Sequence, residues 1–232
     1  MARKLLTRRR VLIAALIVAF VGMGCNPLLA PFQLAGLFND PKAPTQFNFY
    51  DRAVQLKKKK DIRIMVLAYR GGSLAPDYYD ADRTLATAFI RKLDETFKAN
   101  KEKVTIVPLT DVEKYKRSHE DWKATPPGEI GKHFSADFVI DMELSELSLY
   151  EPGTRDIFHG HCRIPIAIID VDKDGEPFDR FDYDTEYPGS GQSVPLDMET
   201  NAQKFKAKFL AKIALDLTGM FTPLPTAANR FQ

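Results

Sequence analysis

The amino-terminal segment constrains this chain most, because it is expected to be cleaved off and therefore to form no part of the mature domain. Residues 1–10 carry five basic side chains and no acid, and residues 11–24 carry no charge at all. A basic stretch, a short apolar run and small residues before a cleavage point are the three parts of a secretory signal. A membrane-spanning helix needs about 20 apolar residues, more than this run supplies. We therefore expect residues 1–24 to form a signal peptide, with an uncleaved signal anchor as the alternative.

The end of the apolar run resembles the lipobox of bacterial lipoproteins. The stretch Val21-Gly22-Met23-Gly24-Cys25 has small residues before a cysteine. The resemblance implies cleavage between Gly24 and Cys25 and attachment of diacylglycerol to the Cys25 sulfur. Several acyl chains hold a protein firmly on a membrane, since each buried CH₂ contributes about 0.8 kcal/mol. We expect a lipid-anchored protein of the cell envelope that faces the periplasm.

Two features near the lipobox concern the export route and the membrane in which the protein is anchored. Residues 7–12, Thr-Arg-Arg-Arg-Val-Leu, also resemble a twin-arginine export signal, so this route and the general secretory route both stay open. Asn26, directly after the cysteine, resembles the sorting pattern for the outer membrane in enteric bacteria. The outer membrane is therefore favoured over the inner one.

Charge and cysteine content narrow the function classes for the mature chain. Without residues 1–24 the chain keeps 28 of its 33 basic residues against 31 acidic ones, so its net charge is negative. Nucleic-acid binding needs a clustered basic footprint, and the one dense run, residues 57–60, is typical of a solvated approach to a strand. With Cys25 acylated, Cys162 has no partner for a disulfide, so the hydrophobic core must hold the exported domain together.

The chain divides into four predicted parts. These are a signal peptide at 1–24, an acylated tether at 25–58, a globular domain at 59–222 and a tail at 223–232. Prolines at positions 27, 31, 41 and 44 break any helix in the tether, which we expect to be irregular. A tether of this kind lets a domain stand off a membrane.

Hydrophobic periodicity predicts an α/β fold: a single mixed β-sheet of about five strands in the order β-α-β-α-β-β-β-α, with helices packed on the sheet. The expected elements are a strand at 61–69, a helix capped by Asp80, a strand at 103–109, a helix capped by Thr110, a short helix at 129–134, a strand from Ala136, a hairpin with arms at 158–171 and 176–187, and a helix at 196–217 ended by Gly219 and Pro223. Apolar residues are even-numbered up to Leu144 and odd-numbered from Leu147, so a bulge is expected near Ser145.

Several of these stretches resemble a group that comprises the curli-secretion lipoproteins, the amino-terminal domain of TolB and the lipoprotein activators of penicillin-binding proteins. The resemblance rests on residues 62–68, 104–112, 130–144 and 166–176. It implies the α/β fold and no catalytic residue. The links at 150–158 and 188–196 are too short for the transmembrane hairpins of the curli-secretion pore, so we do not expect a pore.

Two stretches could hold a metal ion. His159 and His161 offer imidazole ligands, but on a strand Cys162 points to the opposite face, so the three do not easily bind one zinc ion. Residues 170–175, Asp-Val-Asp-Lys-Asp-Gly, resemble the start of an EF-hand loop, but Phe181 stands where the bidentate glutamate belongs. A hairpin turn is the favoured interpretation of this stretch.

Acidic side chains on the predicted strands suggest a binding surface. A carboxylate pair drawn from Asp141, Glu143, Asp182 and Asp184 could meet across neighbouring strands, which we interpret as an acidic surface. Asp182, Asp184 and Glu186 are the predicted partner-binding residues. We expect a non-enzymatic adaptor or assembly factor for another envelope protein, without a cofactor and without nucleic acid. A metal-dependent hydrolase or metal-binding periplasmic protein is the alternative, and the oligomeric state stays open.

Overall fold

The continuous apolar run after Asp61 forms the strand around which the sheet is built. The computed structural model describes residues 45–56, 61–72, 74–173, 177–189, 194–195 and 201–224. Strand β1 (Ile62–Arg70) is buried without interruption from Ile64 to Ala68. It pairs in parallel with β2 (Val104–Ile106) on one edge and with β3 (Phe138–Leu144) on the other. Burial on both faces is the reason for the unbroken apolar sequence.

A bulge joins β3 to the next strand. Strand β4 (Glu146–Tyr150) continues the line of β3, and both are antiparallel to β5 (Ile157–Asp170). Met142 faces Ile166 whereas Glu146 faces Arg163, so one extra residue lies on the β3 and β4 side. The Ser145 backbone N–H donates to the Arg163 carbonyl at 3.1 Å, and the Ser145 hydroxyl donates to it at 3.0 Å. The predicted bulge near Ser145 is confirmed.

The opposite edge of β5 carries the second arm of a hairpin. Strand β6 (Pro177–Tyr187) pairs with β5 from Gly160 to Ile169, and β7 (Val194–Pro195) pairs with its first residues. The resulting order is β2, β1, β3 with β4, β5, and β6. This confirms the predicted mixed sheet of about five strands. The expected turn at 172–175 lies partly outside the described residues.

Helices pack on both faces of the sheet. One face is covered by α1 (Phe49–Gln55), α2 (Ala81–Ala99) and α5 (Ala202–Phe221) over the larger core cluster. The other face is covered by α3 (Leu109–Ser118) and α4 (Pro127–His133), whose side chains pack mainly against β1 and β3. Short 3₁₀ turns span Pro76–Tyr78 and Trp122–Ala124. None of the described helices combines the length and apolarity needed to cross a membrane.

The prediction of an irregular chain up to residue 58 is wrong for helix α1. Asn48 caps this helix, with its side-chain oxygen accepting from the Asp51 N–H at 3.1 Å. Phe47 and Phe49 are buried and pack edge to face, 4.9 Å between ring centroids. The Phe49 ring also stacks on Phe221 at 5.5 Å. Tertiary contacts of these aromatic rings therefore hold a helix too short to form alone.

Two residues predicted to cap helices do not do so in the structure. Asp80 precedes α2 but makes no side-chain cap, because its carboxylate accepts a hydrogen bond from the largely buried Lys206 at 2.6 Å. That hydrogen bond lowers the pKa of Asp80. Thr110 lies inside α3, which begins at Leu109 after Pro108.

The last helix also differs from its prediction. Helix α5 begins at Ala202, where the Asn201 side chain caps the Lys204 N–H at 2.9 Å, and the start expected at 196–200 lies outside the described residues. It continues through Gly219 to Phe221. Phe221 is buried between Phe49 and Phe89, and this packing outweighs the low helix propensity of Gly219.

Candidate functional site

Helices α3 and α4 leave part of their face of the sheet uncovered. Over β4, β5 and β6 the outward side chains form a polar surface, here called the open face. It consists of Glu146, His159, His161, Arg163, Asp182, Asp184 and Glu186. The acids and Arg163 are exposed, whereas the opposite side of the same strands is buried by α5. No helix of the described part of the chain covers the open face.

Opposite charges face one another across the strands of the open face. Glu146 Oε2 lies 3.3 Å from His161 Nε2, and Asp184 Oδ1 lies 3.8 Å from His161 Nδ1. Glu186 Oε2 lies 3.6 Å from His159 Nε2. Arg163 donates to Asp182 Oδ2 at 3.2 Å. Cross-strand neighbours of this kind are the ordinary unit of sheet stabilisation, and exposed ion pairs contribute only about 0 to 1 kcal/mol each.

Strand β6 is held in place from behind by α5. The Tyr183 hydroxyl donates to Asp216 Oδ2 at 2.8 Å, and Lys212 donates to Thr185 Oγ1 at 2.9 Å. Lys212 also pairs with Asp216. Burial and the Asp216 carboxylate raise the pKa of Tyr183, so this hydroxyl stays a donor. Asp182, Asp184 and Glu186 therefore project from a strand with a fixed position.

The candidate zinc ligands lie on two opposite faces of β5, as expected from the alternation of the strand. His159 and His161 lie on the open face, whereas Cys162 is buried on the opposite face, where burial raises the pKa of its thiol to about 12. Asp170 is buried, and its Oδ1 accepts from the Asp172 N–H at 3.2 Å. The described residues contain no group of three or more side chains suited to a metal ion. Nothing in this part of the chain supports the metal-dependent alternative.

A groove of about 630 Å³ lies where the open face meets α4. We call it the β3–β6 groove. Its polar lining residues are Tyr69, Asp141, Glu143, Arg180 and Asp182, and its apolar wall includes Pro127, Pro165, Ala167 and Ile169. Its lining therefore combines carboxylates with a hydrocarbon surface.

Asp141 is the least solvated carboxylate of this groove. It occupies a position in the middle of β3 that lies between Leu67 on β1 and Ala167 on β5, where an apolar residue would be expected. Its Oδ1 atom is buried and has no hydrogen-bond partner within the described part of the chain. Burial, and secondly the charge of Glu143, raise the pKa of Asp141 to about 7. Near neutral pH, Asp141 is therefore a partly charged group without a counter-charge.

The other polar groups of the groove surround Asp141 from neighbouring elements. Burial and the two β3 carboxylates raise the pKa of Tyr69 to about 12. The Tyr69 ring packs edge to face on Trp122, 5.6 Å between centroids. Glu143 lies against Gly71, where a methyl group would come within 2.9 Å of its Oε1 atom. The absence of a side chain at Gly71 thus leaves room for the Glu143 carboxylate.

The predicted acidic surface is split by the structure. Asp141, Glu143 and Asp182 line one groove, whereas Asp184 lies on the open face beside His161. The groove itself was not predicted, because it depends on where Pro127 of α4 lies above the sheet. The sequence of β3, Phe-Val-Ile-Asp-Met-Glu-Leu, did contain a sign of the groove, because it places two acids among buried neighbours.

Comparison with known proteins gives only distant likenesses. No protein-family model matches the sequence, and no curated protein matches it. Lipoprotein GNA1162 from Neisseria meningitidis is similar with a TM-score of 0.43 and 10% identity, over 67% of this chain and 97% of that chain. The C-terminal domain of LpoB from Salmonella enterica has a TM-score of 0.32 and 17% identity, over 59% and 91%.

A minor lipoprotein from Acinetobacter baumannii is similar with a TM-score of 0.31 and 7% identity, over 71% of this chain and 98% of that chain. Lipoproteins thus recur among the similar structures. With TM-scores below 0.5, these likenesses carry no information about activity or partner. The predicted signal peptide at 1–24 and the predicted lipidation site at Cys25 lie outside the described residues.

Proposed function

We propose that this protein is a lipoprotein, anchored through Cys25 to an envelope membrane and facing the periplasm, that binds another envelope protein as a non-enzymatic adaptor or assembly factor. The outer membrane is the favoured location because Asn26 follows the cysteine. The observation that supports the binding role is the open face, a charged part of the sheet that none of the described helices covers. The lipobox resemblance at Val21-Gly22-Met23-Gly24-Cys25 supports the anchor.

The charge of the open face indicates the kind of partner. Four carboxylates face one arginine and two histidines, so a basic surface is its complement. Asp182, Asp184 and Glu186 form its outermost row on β6, and we propose them as the partner-binding residues. Their present ion pairs are exposed and weak, so exchanging them for contacts with a partner costs little. Complementary charge also speeds encounter and excludes wrong partners.

Partner capture from intact cells tests the proposal. The protein is cross-linked in living cells and recovered from detergent-solubilised envelopes, as wild type and as the triple variant Asp182→Asn, Asp184→Asn, Glu186→Gln. The matched control, Asp82→Asn, Asp94→Asn, Glu95→Gln, removes the same charge from α2 on the other side of the sheet. We expect one stoichiometric partner with wild type and control, and at least a tenfold lower recovery with the open-face variant.

Two results would contradict the proposal. Recovery of no stoichiometric partner after repeated attempts would count against an adaptor. Equal recovery of the same partner with all three proteins would remove the open face as the binding surface.

A further inference from the structure

We infer that the β3–β6 groove is a socket for one lysine or arginine side chain of the partner protein, whose charged end lies on the Asp141 carboxylate. This inference rests on the proposed function and adds to it the site that confers specificity. Three observations carry it: the position of the groove, the missing counter-charge at its base and the shape of its walls.

The groove adjoins the proposed docking surface. Asp182 belongs to both, because it lines the groove and also pairs with Arg163 on the open face. Asp182 faces Pro165 and Arg180 faces Ala167 along the β5–β6 pair, so the groove continues directly from the row of acids on β6. A protein seated on the open face can therefore place a side chain into the groove without moving a strand.

Within the described residues, no cation forms an ion pair with Asp141 or Glu143 in the groove. The two acids lie two residues apart on one side of β3. Arg180 lines the groove but is exposed at its mouth. A partly buried carboxylate without a counter-charge is costly, and a charge-assisted hydrogen bond to the carboxylate is the interaction that compensates this cost best. A ligand with a cationic donor supplies that bond.

The walls of the groove favour a side chain over a bare ion. Pro127, Pro165, Ala167 and Ile169 form a hydrocarbon surface, against which the methylene stem of lysine or arginine packs while its charged end reaches the acids. A hard divalent cation requires six or more oxygen ligands. The described residues assemble no metal-ligating group of three. The lining therefore matches an amphipathic cation.

The charged and titratable groups facing Asp141 set the pH dependence of this socket. They are Glu143 on β3, Tyr69 on β1, and Arg180 and Asp182 on β6. The pKa of Asp141 is raised to about 7 by burial and by Glu143. A cation binds the deprotonated form, whose fraction falls from about nine tenths at pH 8 to a few hundredths at pH 5.5. Binding of the partner side chain should weaken accordingly as the pH falls.

Tryptophan fluorescence of the full-length protein in detergent tests the socket. Trp122 is the only tryptophan of the chain and contacts Tyr69 at the groove. The probe is N-acetyl-lysine methylamide at pH 8, and its uncharged counterpart is N-acetyl-norleucine methylamide. We expect a saturable change at millimolar concentration with the lysine probe alone. Affinity should fall more than tenfold at pH 5.5 and in Asp141→Asn.

A matched variant controls for the loss of one charge. Asp94→Asn on α2 should bind the lysine probe within a factor of two of wild type, and the melting temperature of Asp141→Asn should show that its fold is intact. Equal binding of the norleucine probe, or unchanged binding by Asp141→Asn, would overturn the inference. A response to calcium chloride that Asp141→Asn abolishes, without a response to the lysine probe, would assign the groove to a metal ion instead.

The outcomes separate this inference from the proposed function. If a partner is captured but the lysine probe does not bind, the adaptor proposal stands and the groove is not a lysine socket. If the lysine probe binds in a manner that depends on Asp141 but no partner is captured, the socket stands and the proposed envelope partner is contradicted.

Discussion

At the scale of single residues, Asp141 shows how a carboxylate is kept at a cost to stability. It occupies a core-like position on β3, and its pKa is raised from 3.8 to about 7 by burial and by Glu143. An acid whose pKa is higher in the folded state binds protons more tightly there than in the unfolded chain. The contribution of Asp141 to stability is therefore most favourable below the unfolded pKa near 4 and is lost as the pH rises from there through about 7.

Replacing Asp141 by asparagine should restore the stability that the folded protein loses when Asp141 is deprotonated. At pH 8 we expect Asp141→Asn to raise the free energy of unfolding by on the order of 2 kcal/mol, about half of what a shift of this size is worth, since the groove is open to water. The difference between variant and wild type should shrink towards pH 4. Urea denaturation at both pH values measures it. A difference that is constant with pH, or largest at pH 4, would contradict the assigned pKa shift.

At the scale of elements, the close fit of α5 on β5 depends on one glycine. Gly160 is buried beneath the ring of Phe209, and an added methyl group would come within 2.7 Å of two ring carbons. Phe209 is itself fully buried and stacks near Tyr187, 6.0 Å between centroids, so its ring has little room to move. Helix α5, which packs behind the open face, therefore contacts the backbone of β5 directly at Gly160.

Gly160→Ala should destabilise the fold by about 1 to 3 kcal/mol, the usual cost of overpacking a core. Gly72 supplies the matched control, because nothing lies within 4 Å of the methyl group that Gly72→Ala would add. We expect the control to stay within about 0.5 kcal/mol of wild type in urea denaturation. A Gly160→Ala variant as stable as the control would show that α5 is not closely packed on β5.

The elements also show which features of the fold are local. Strand β1, the apolar stripe of α2 and the bulge at Ser145 were predictable, because each depends on the periodicity of a few neighbouring residues. Helix α1 was not, since Phe47 and Phe49 need Phe221 and Phe138 to pack against. The capping role expected of Asp80 failed for a similar reason, because Lys206 is 126 residues away in sequence.

The candidate site likewise has one part that the local sequence predicts and one part that it does not. The exposed row of Asp182, Asp184 and Glu186 follows from the alternation of β6 alone. The groove does not, because it requires α4, β3 and β6 to meet around Asp141. Sequence periodicity thus predicts which side chains face outward, whereas a concave site depends on the relative placement of separate elements.

At the scale of the whole molecule, the proposed function requires two parts, which are a lipid anchor at Cys25 and a folded domain that carries the open face. In the proposed function, an anchor at Cys25 would confine the domain near a membrane and so raise the local concentration of an envelope partner, and the open face would supply the contact. Both parts are required for an adaptor that acts without chemistry of its own. The anchor is the more consequential part, since the compartment and the class of partner depend on it.

Intact-mass spectrometry of the protein extracted from membranes tests this most directly. We predict a chain that begins at Cys25 and carries the added mass of diacylglycerol and a further acyl chain, and a Cys25→Ser variant that keeps residues 1–24 and lacks both additions. A wild-type mass that includes residues 1–24, or an unmodified thiol at Cys25, would contradict the assignment to an anchored envelope adaptor.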